Sequence, residues 1–337
     1  MLLRIENLQV HFRTLAGVLP AVDGVSLEIP RGKTVALVGE SGCGKTVTAL
    51  AILRLVPAPG RIVAGRILLD GKDLTTLDSR AMRSVRGGRI AMIFQEPMSS
   101  LNPVKTVGAQ IVEAVRLHAG RPAPGRARSA RARAVELLHK VGIPAPEARY
   151  HEYPHRLSGG MRQRVMIAMA LAGDPDLLIA DEPTTALDVT VQSQVLDLLN
   201  RIQNENGLSI LLVTHDFGVV ARMAAVVCVM YAGRIVERAP AERLFRDPRH
   251  PYTQRLLRCV PRLSGAERSS GRTRRLETIP GEVPRLATRP HGCAFHPRCD
   301  LGREDPTCRE RQPELLDVTP GHTCACWQME VGESRAK

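Results

Sequence analysis

A glycine-rich turn near the start of the chain has the residue types that bind phosphate groups. The stretch "TVALVGESGCGKTVTALAIL" (34–53) predicts a buried strand, a turn and a helix. The glycines that let the backbone curl, so that successive N–H groups point at phosphate oxygens, are Gly39, Gly42 and Gly44. Lys45 would reach the β- and γ-phosphates, and Thr46 would supply a hydroxyl to Mg²⁺. A chance glycine turn is the alternative, but the flanking strand and helix favour a nucleoside triphosphate site.

Four further polar residues lie at the ends of three apolar strand-like runs. In "DLLIADEP" (176–183), Asp181 would hold Mg²⁺ through water and Glu182 would polarise the attacking water as general base. His215 lies at the end of "SILLVTH" (209–215), and Gln95 ends "RIAMIFQ" (89–95). Taken singly, each has an ordinary structural explanation, because acidic loops and histidines after core strands are common.

A second anion-binding pattern lies at "LSGGMRQRVMIAMALAG" (157–173), where Ser158, Gly159 and Gly160 open an apolar-periodic helix. The start of such a helix offers exposed N–H groups and a positive dipole end to an anion. A second phosphate-binding element is redundant within one monomer, so we expect it to grip the γ-phosphate of a nucleotide bound to another protomer. Together with the preceding motifs, its place in the chain order resembles the ATP-binding cassette (ABC) ATPases.

The resemblance implies an α/β fold. We expect a P-loop NTPase (RecA-like) ABC nucleotide-binding domain over residues 1–240, with an antiparallel β subdomain and a helical subdomain at about 96–160. Residues 241–337 would form a C-terminal cysteine-rich extension. ATP and Mg²⁺ are the implied ligands.

By resemblance, two cassettes would sandwich two ATP molecules head to tail. The implied catalytic residues are Lys45, Gln95, Glu182 and His215. The implied ATP and Mg²⁺ contacts are Phe12, Gly39, Ser41, Gly42, Cys43, Gly44, Lys45, Thr46, Val47, Gln95 and Asp181. Ser158, Gly159, Gly160 and Asp188 would act on the nucleotide of the partner cassette. Phe12 would stack on adenine, although it could equally be an ordinary core residue. Cys43 stands where serine is more usual, and we expect little effect beyond possible thiol reactivity.

The segment between Gln95 and Ser158 has helical patterning at 106–120 and 132–142, separated by the Pro/Gly/Arg-rich joint "RPAPGRAR" (121–128). It resembles the small helical subdomain that docks against membrane subunits in this family. Residues 96–104 would lie near that contact.

Beyond residue 240, "FRDPRHPYTQRLL" (245–257), "IPGEVPRL" (279–286) and a cysteine-rich stretch resemble the ATPase subunits of bacterial dipeptide and oligopeptide importers. Of the two ATPases that such importers commonly pair, "TTALDVTVQ" (184–192) looks more like the D-type subunit. The implied partners are a second, non-identical ATPase of the F type, two membrane permease subunits and an extracytoplasmic substrate-binding protein. Related importers share this ATPase design, so nickel, glutathione or another small solute remain alternative cargoes.

Four cysteines in the C-terminal region follow the pattern Cys293-x5-Cys299-x8-Cys308-x17-Cys326. Disulfides are disfavoured in a cytosolic chain, whereas structural zinc, an iron–sulfur cluster or no metal all remain open. The resemblance implies a 4Fe–4S cluster, with zinc as the alternative. Cys326 matches the family position better than Cys324. A metal there would be a staple for a tail with little core, or a redox sensor.

Composition bounds the remaining possibilities. The formal net charge is +13, but the basic residues are dispersed and aromatic residues are only 3% of the chain. We therefore expect no nucleic acid as a partner, although a nucleic-acid-handling cassette is a rival function. No apolar run approaches the roughly 20 residues of a membrane span, and the N-terminus lacks the pattern of a signal peptide. These features predict that the protein is made in the cytoplasm and stays there. The resemblance to importer ATPases implies a peripheral place on the cytoplasmic face of the cell membrane.

Overall fold

The computed structural model describes residues 1–15, 17–95, 100–118, 129–185, 187–260, 278–284 and 289–329. Its strands are β1 (Leu3–Thr14), β2 (Gly17–Ile29), β3 (Thr34–Val38), β4 (Gly60–Leu69), β5 (Lys72–Asp73), β6 (Ile90–Ile93), β7 (Leu177–Asp181), β8 (Ser209–Thr214), β9 (Val226–Tyr231), β10 (Arg234–Pro240), β11 (Leu316–Thr319) and β12 (His322–Cys324). Its helices are α1 (Lys45–Ile52), α2 (Ser79–Val85), α3 (Val107–Leu117), α4 (Ala130–Lys140), α5 (Pro146–Arg149), α6 (Gly159–Ala170), α7 (Val189–Asn206), α8 (Phe217–Met223), α9 (Ala241–Arg246), α10 (Pro251–Arg258) and α11 (Pro306–Glu310). Among these helices, none is long and apolar enough to cross a membrane.

The larger sheet has the strand order β11-β12-β10-β9-β3-β8-β7-β6. Strands β9, β3, β8, β7 and β6 run parallel. Every residue of β3, β7 and β8 is buried, which explains the continuous apolar runs in the sequence. Because parallel strands share an edge for their carboxyl ends, the loops after β3, β6, β7 and β8 meet there. These loops carry the residues predicted to bind and hydrolyse a nucleotide.

The smaller sheet is antiparallel, with the order β2-β1-β4-β5. Alternate residues of β1, such as Leu3 and Ile5, are buried against α1 and the central strands. This sheet is the predicted antiparallel β subdomain.

The helical region packs α3, α4 and α6 around a core that includes Val107, Ile111, Leu137 and Val165. The predicted helices at 106–120 and 132–142 correspond to α3 and α4, but α4 begins at Ala130. Its earlier start follows from Ser129, whose hydroxyl accepts the Ala132 N–H at 3.2 Å as an N-cap. The predicted joint at 121–128 lies outside the described residues.

The extension continues the cassette's sheet across residue 240. Strand β12 pairs antiparallel with β10, with Cys324 opposite Glu237, and β11 pairs with β12. A third core joins the two parts through Tyr231 of β9, Tyr252 of α10 and Phe295. The predicted boundary at residue 240 therefore falls between two parts of one sheet.

Candidate functional site

The phosphate loop after β3 is pressed between neighbouring strands, which explains its glycines. A Cβ on Gly39, at φ +154°, would lie 2.2 Å from the carbonyl oxygen of Met230. A Cβ on Gly44, at φ +105°, would lie 2.4 Å from the carbonyl oxygen of Ala21. Backbone stands in both places, so only glycine fits.

Two side chains at the start of α1 hold the loop and reach the end of β7, the second strand from β3 in the sheet. The buried Lys45 Nζ donates to the carbonyl oxygens of Gly39 at 2.8 Å and Glu40 at 2.9 Å. The Thr46 hydroxyl donates to Asp181 Oδ1 at 3.3 Å. Burial raises the pKa of Asp181, an effect that a bound Mg²⁺ would oppose by favouring the carboxylate. Thr46 and Asp181 together therefore have the arrangement expected of a magnesium site beside the phosphates.

Glu182 gathers the remaining predicted catalytic residues around its carboxylate. His215 Nδ1 lies 3.0 Å from Glu182 Oε1, and Gln95 Nε2 donates to Oε2 at 2.9 Å. The Thr185 hydroxyl donates to the same Oε2 at 2.9 Å. Glu182 itself has a φ of 48°, a sparsely populated backbone region for a non-glycine residue that is found at functional sites.

The surroundings of Glu182 favour its charged form. Burial by itself would raise the pKa of Glu182, but the hydrogen bonds with His215 and Thr185, together with nearby positive charge such as Lys45, outweigh burial and lower the pKa. The group is therefore a carboxylate at neutral pH, as a general base must be. Sequence reasoning missed Thr185, since a threonine three residues after the base carries no distinguishing signal.

The predicted signature residues lie together on another face. Ser158 caps α6 by accepting the Met161 N–H at 3.3 Å. Asp188 caps α7 in the same way, accepting the Val191 N–H at 2.9 Å. A Cβ on Gly160 would meet the Val191 side chain at 2.4 Å, so the two helix starts are neighbours. Ser158 and Gly159 are exposed.

The other predicted nucleotide contacts are placed as follows. Phe12 is half-buried in β1, and its ring lies against Gly60. Ser41 and Gly42 are exposed on the loop, and Val47 is half-buried in α1. Cys43 is fully buried, and burial raises the pKa of its thiol. A protonated, inaccessible thiol is a poor nucleophile, so the structure disfavours the reactivity that the sequence left open.

The four cysteines of the predicted metal set line one small cavity in the extension: Cys293, Cys299, Cys308 and Cys326. The backbone of Gly302 approaches two of them, because its N–H donates to Cys299 Sγ at 3.3 Å and an added Cβ would lie 2.8 Å from Cys308 Sγ. Cys324 is not among the lining residues and pairs with Glu237 in the sheet.

The thiols of this cavity are largely desolvated. Burial raises the pKa of Cys293 to about 12 and that of Cys326 to about 11. Across the described residues, no three His, Cys, Asp or Glu side chains converge closely enough to hold a single metal ion. The predicted metal set therefore shares one cavity, but its thiols do not form a metal-binding group there.

An apolar groove opens beside Gln95. Its lining includes Leu55, Phe94, Ala114, Met166 and Met169. Phe94 is 44% exposed, which is unusual for a side chain of its size. The groove lies between the end of β6 and the helices α3 and α6, so it is next to Gln95 and open to the protein surface.

Comparisons with known proteins agree with this geometry. The family profile "ABC transporter" matches residues 22–185, and "Oligopeptide/dipeptide transporter, C-terminal region" matches residues 236–308. A putative peptide import ATP-binding protein of Brucella abortus (strain 2308) is 53% identical over 335 residues, covering 97% of each chain. The dipeptide transport ATP-binding protein DppD of Escherichia coli (strain K12) is 46% identical, covering 96% of each chain.

Solved structures place the fold in the same group. A dimeric ATP-binding cassette in a post-hydrolysis state, bound to ADP and Pi, matches with a TM-score of 0.62 and 26% identity. The match covers 71% of this chain and 98% of that one. Because the family profiles, the relatives and the fold agree, the chain belongs to the ABC transporter ATPases and carries the C-terminal region of the oligopeptide/dipeptide transporters.

Proposed function

We propose that this ATPase is the motor subunit of an importer for dipeptides and oligopeptides. The observation that carries the proposal is the convergence of Gln95 and His215 on Glu182 beside the phosphate loop, in a chain whose relatives are named for peptide import. Glu182 would take a proton from the water that attacks the γ-phosphate, while Lys45 and the loop N–H groups stabilise the transferring phosphoryl group. His215 would orient the Glu182 carboxylate.

The composite ATP site would need a second cassette. Ser158 and Asp188 cap neighbouring helices at a surface, and Ser158 is exposed. The similar cassette bound to ADP and Pi is a dimer. We infer that Ser158, Gly159, Gly160 and Asp188 act on the nucleotide held by the partner's phosphate loop. The partner would be a non-identical, F-type ATPase.

The apolar groove beside Gln95 fits a helix from a permease. Leu55, Phe94 and Met169 would take its apolar face, and closure at Glu182 would be relayed through Gln95. The complex would comprise two permeases and an extracytoplasmic substrate-binding protein, with this chain on the cytoplasmic face of the membrane.

The four-cysteine cavity fits a 4Fe–4S cluster by the chemistry of its donors. Four thiols are the usual ligands of such a cluster. A single tetrahedral Zn²⁺, with Zn–S distances of about 2.3 Å, would draw the sulfurs to roughly 3.8 Å of one another. The four cysteines share one cavity, although they form no group that holds a metal ion among the described residues, so the proposal rests on the donor chemistry. When bound, the cluster would cross-link three separate segments of the extension.

The proposed transport function is tested by co-expressing the chain with its candidate permeases, partner ATPase and binding protein. We expect a stable complex whose ATPase activity rises with dipeptides but not with nickel or glutathione. Stimulation by nickel or glutathione alone would assign the same motor to another cargo. Failure to bind permeases together with stimulation by DNA or RNA would overturn the transporter assignment.

A further inference from the structure

The phosphate loop is fastened from outside the cassette at one residue, Glu40, which lies between Gly39 and Ser41. The side chain of Arg298 forms two parallel bonds with the Glu40 carboxylate, Nη1 to Oε2 at 2.8 Å and Nη2 to Oε1 at 3.0 Å. The Glu40 backbone N–H donates to the hydroxyl oxygen of Tyr252 at 2.9 Å. Both partners belong to the C-terminal extension.

Arg298 is itself held in one orientation. Its side chain is only 4% exposed. Its Nε donates to the carbonyl oxygen of Pro280 at 3.0 Å, and Nη1 donates to the Tyr231 hydroxyl at 3.3 Å. The neighbouring Gly281 packs against the aliphatic stem of Arg298, since an added Cβ would lie 3.4 Å from Cγ. A buried guanidinium with this many partners places the Glu40 carboxylate rigidly.

Three sequence motifs of the extension therefore converge on Glu40. "HPYT" (250–253) supplies Tyr252, "IPG" (279–281) supplies the carbonyl that orients Arg298, and "HPRC" (296–299) supplies Arg298 itself. The rings of Tyr231 and Tyr252, with centroids 4.6 Å apart, fill the space between α10 and the loop. The nucleotide chemistry described above does not require any of these motifs.

The loop gains two things from these contacts. Its glycines give it freedom to move, so an anchor at Glu40 keeps the following N–H groups aimed at the phosphates before ATP arrives. Arg298 also neutralises a carboxylate that would otherwise stand in the loop that must bind a polyanion. The remaining backbone group of Glu40, its carbonyl, accepts from Lys45 at 2.9 Å, so the anchor reaches the catalytic lysine in one step.

We propose that Arg298 and Tyr252 are positioning residues for the phosphate loop, through which the extension sets the affinity of the cassette for ATP. The extension is thus a working part of the nucleotide site. Neither residue touches the reacting atoms.

The test is ATP affinity of the full-length chain, purified anaerobically and titrated with a fluorescent ATP analogue. We expect Arg298→Met to raise the Kd by about tenfold or more, and Arg298→Lys to recover part of the loss because lysine cannot bond bidentately. Tyr252→Phe keeps the ring and removes one neutral hydrogen bond, so a few-fold rise is expected. In turnover, KM for ATP should rise more than kcat falls.

The matched control is Arg255→Met, which removes an ion pair with Asp300 inside the same extension. Its Kd for ATP should stay at the wild-type value. The double variant Glu40→Gln with Arg298→Met should have a Kd for ATP no higher than that of whichever single variant binds ATP more weakly. Both substitutions break the same contact, that between Glu40 and Arg298.

Two results would overturn the proposal. In the first, folded Arg298→Met and Tyr252→Phe proteins keep the wild-type Kd for ATP and lose only thermal stability. That outcome would make the contacts purely structural. The other is additive loss in the double variant, which would mean that Glu40 and Arg298 act on ATP separately. If Arg298→Met fails to fold, Tyr252→Phe and Glu40→Gln decide the question.

Discussion

The nucleotide site and the four-cysteine cavity are built in opposite ways. At the nucleotide site, strands buried on both faces end together and carry Asp181, Glu182 and His215 to one edge. In the extension, the cysteines sit on short loops, a one-turn 3-10 helix and the five-residue α11. The first site rests on strands that are buried along their whole length. The second rests on short segments, of which Ala294, Phe295 and Cys299 belong to the third core, and a bound metal would add cross-links to them.

The largest expected effect concerns the nucleotide site. Glu182→Gln keeps the side-chain shape and removes the base, so ATP hydrolysis should fall by about 10²- to 10⁴-fold. ATP binding should persist, because the phosphate loop is untouched. Single-turnover hydrolysis and a binding titration on the same preparation measure both. Hydrolysis within a few-fold of wild type would remove Glu182 from its assigned role.

The next largest effect separates the two sites. The 4Fe–4S cluster proposed for the cavity would give a visible absorption band and about four iron atoms per chain, and Cys326→Ser should abolish both and lower the thermal midpoint of the protein. Cys324→Ala is the matched control, since Cys324 does not line the cavity. It should keep the iron. Stoichiometric zinc in a colourless wild-type protein, or the reverse pattern between the two variants, would contradict the assigned ligand set.

A third effect probes the join between the two regions. Glu237 is fully buried and accepts the N–H groups of Arg249 at 2.7 Å and His250 at 2.9 Å, as well as a bond from His322 Nε2 at 2.7 Å. Glu237→Gln places an amide donor among these donors, which should cost about 1–3 kcal/mol of unfolding free energy. Urea unfolding measures it. Glu242→Gln, on the exposed surface of α9, is the control and should change little.

The smallest effect is a shift in pH dependence. His215 and Thr185 lower the pKa of Glu182, so the base stays charged as the pH falls toward the ordinary range of a glutamate. In His215→Ala the pKa of Glu182 should rise, and the acidic limb of the ATPase profile should move to higher pH. If the acidic limb of the His215→Ala profile stays at the wild-type pH, whatever ATPase activity remains, a group other than Glu182 controls it.

Local sequence accounts well for the nucleotide site. The glycine spacing predicts the phosphate loop, and the left-handed φ angles and tight contacts of Gly39 and Gly44 give the reason. The apolar runs predict parallel strands, and parallel strands place Gln95, Glu182 and His215 at one edge. The ends of α4 were less predictable, because the helix boundary depends on which serine caps it.

The extension was harder to predict because its contacts are long-range. Adjacent sequence could not choose between Cys324 and Cys326 by spacing alone. The pairing of β12 with β10 settles their positions, since it sets Cys324 opposite Glu237 and leaves Cys326 beyond the strand at the cavity. The bond between Arg298 and Glu40 spans 258 residues and has no local signal at either end.

The sequence by itself predicted the phosphate loop, the acidic strand end and the signature helix, because each depends on backbone geometry over a few neighbouring residues. Only the tertiary structure decided that Arg298 and Tyr252 hold Glu40, and that four cysteines share one cavity. These arrangements follow from which surfaces are buried together, and burial depends on how β10, β12 and α10 pack. Packing of that kind joins residues that are far apart along the chain.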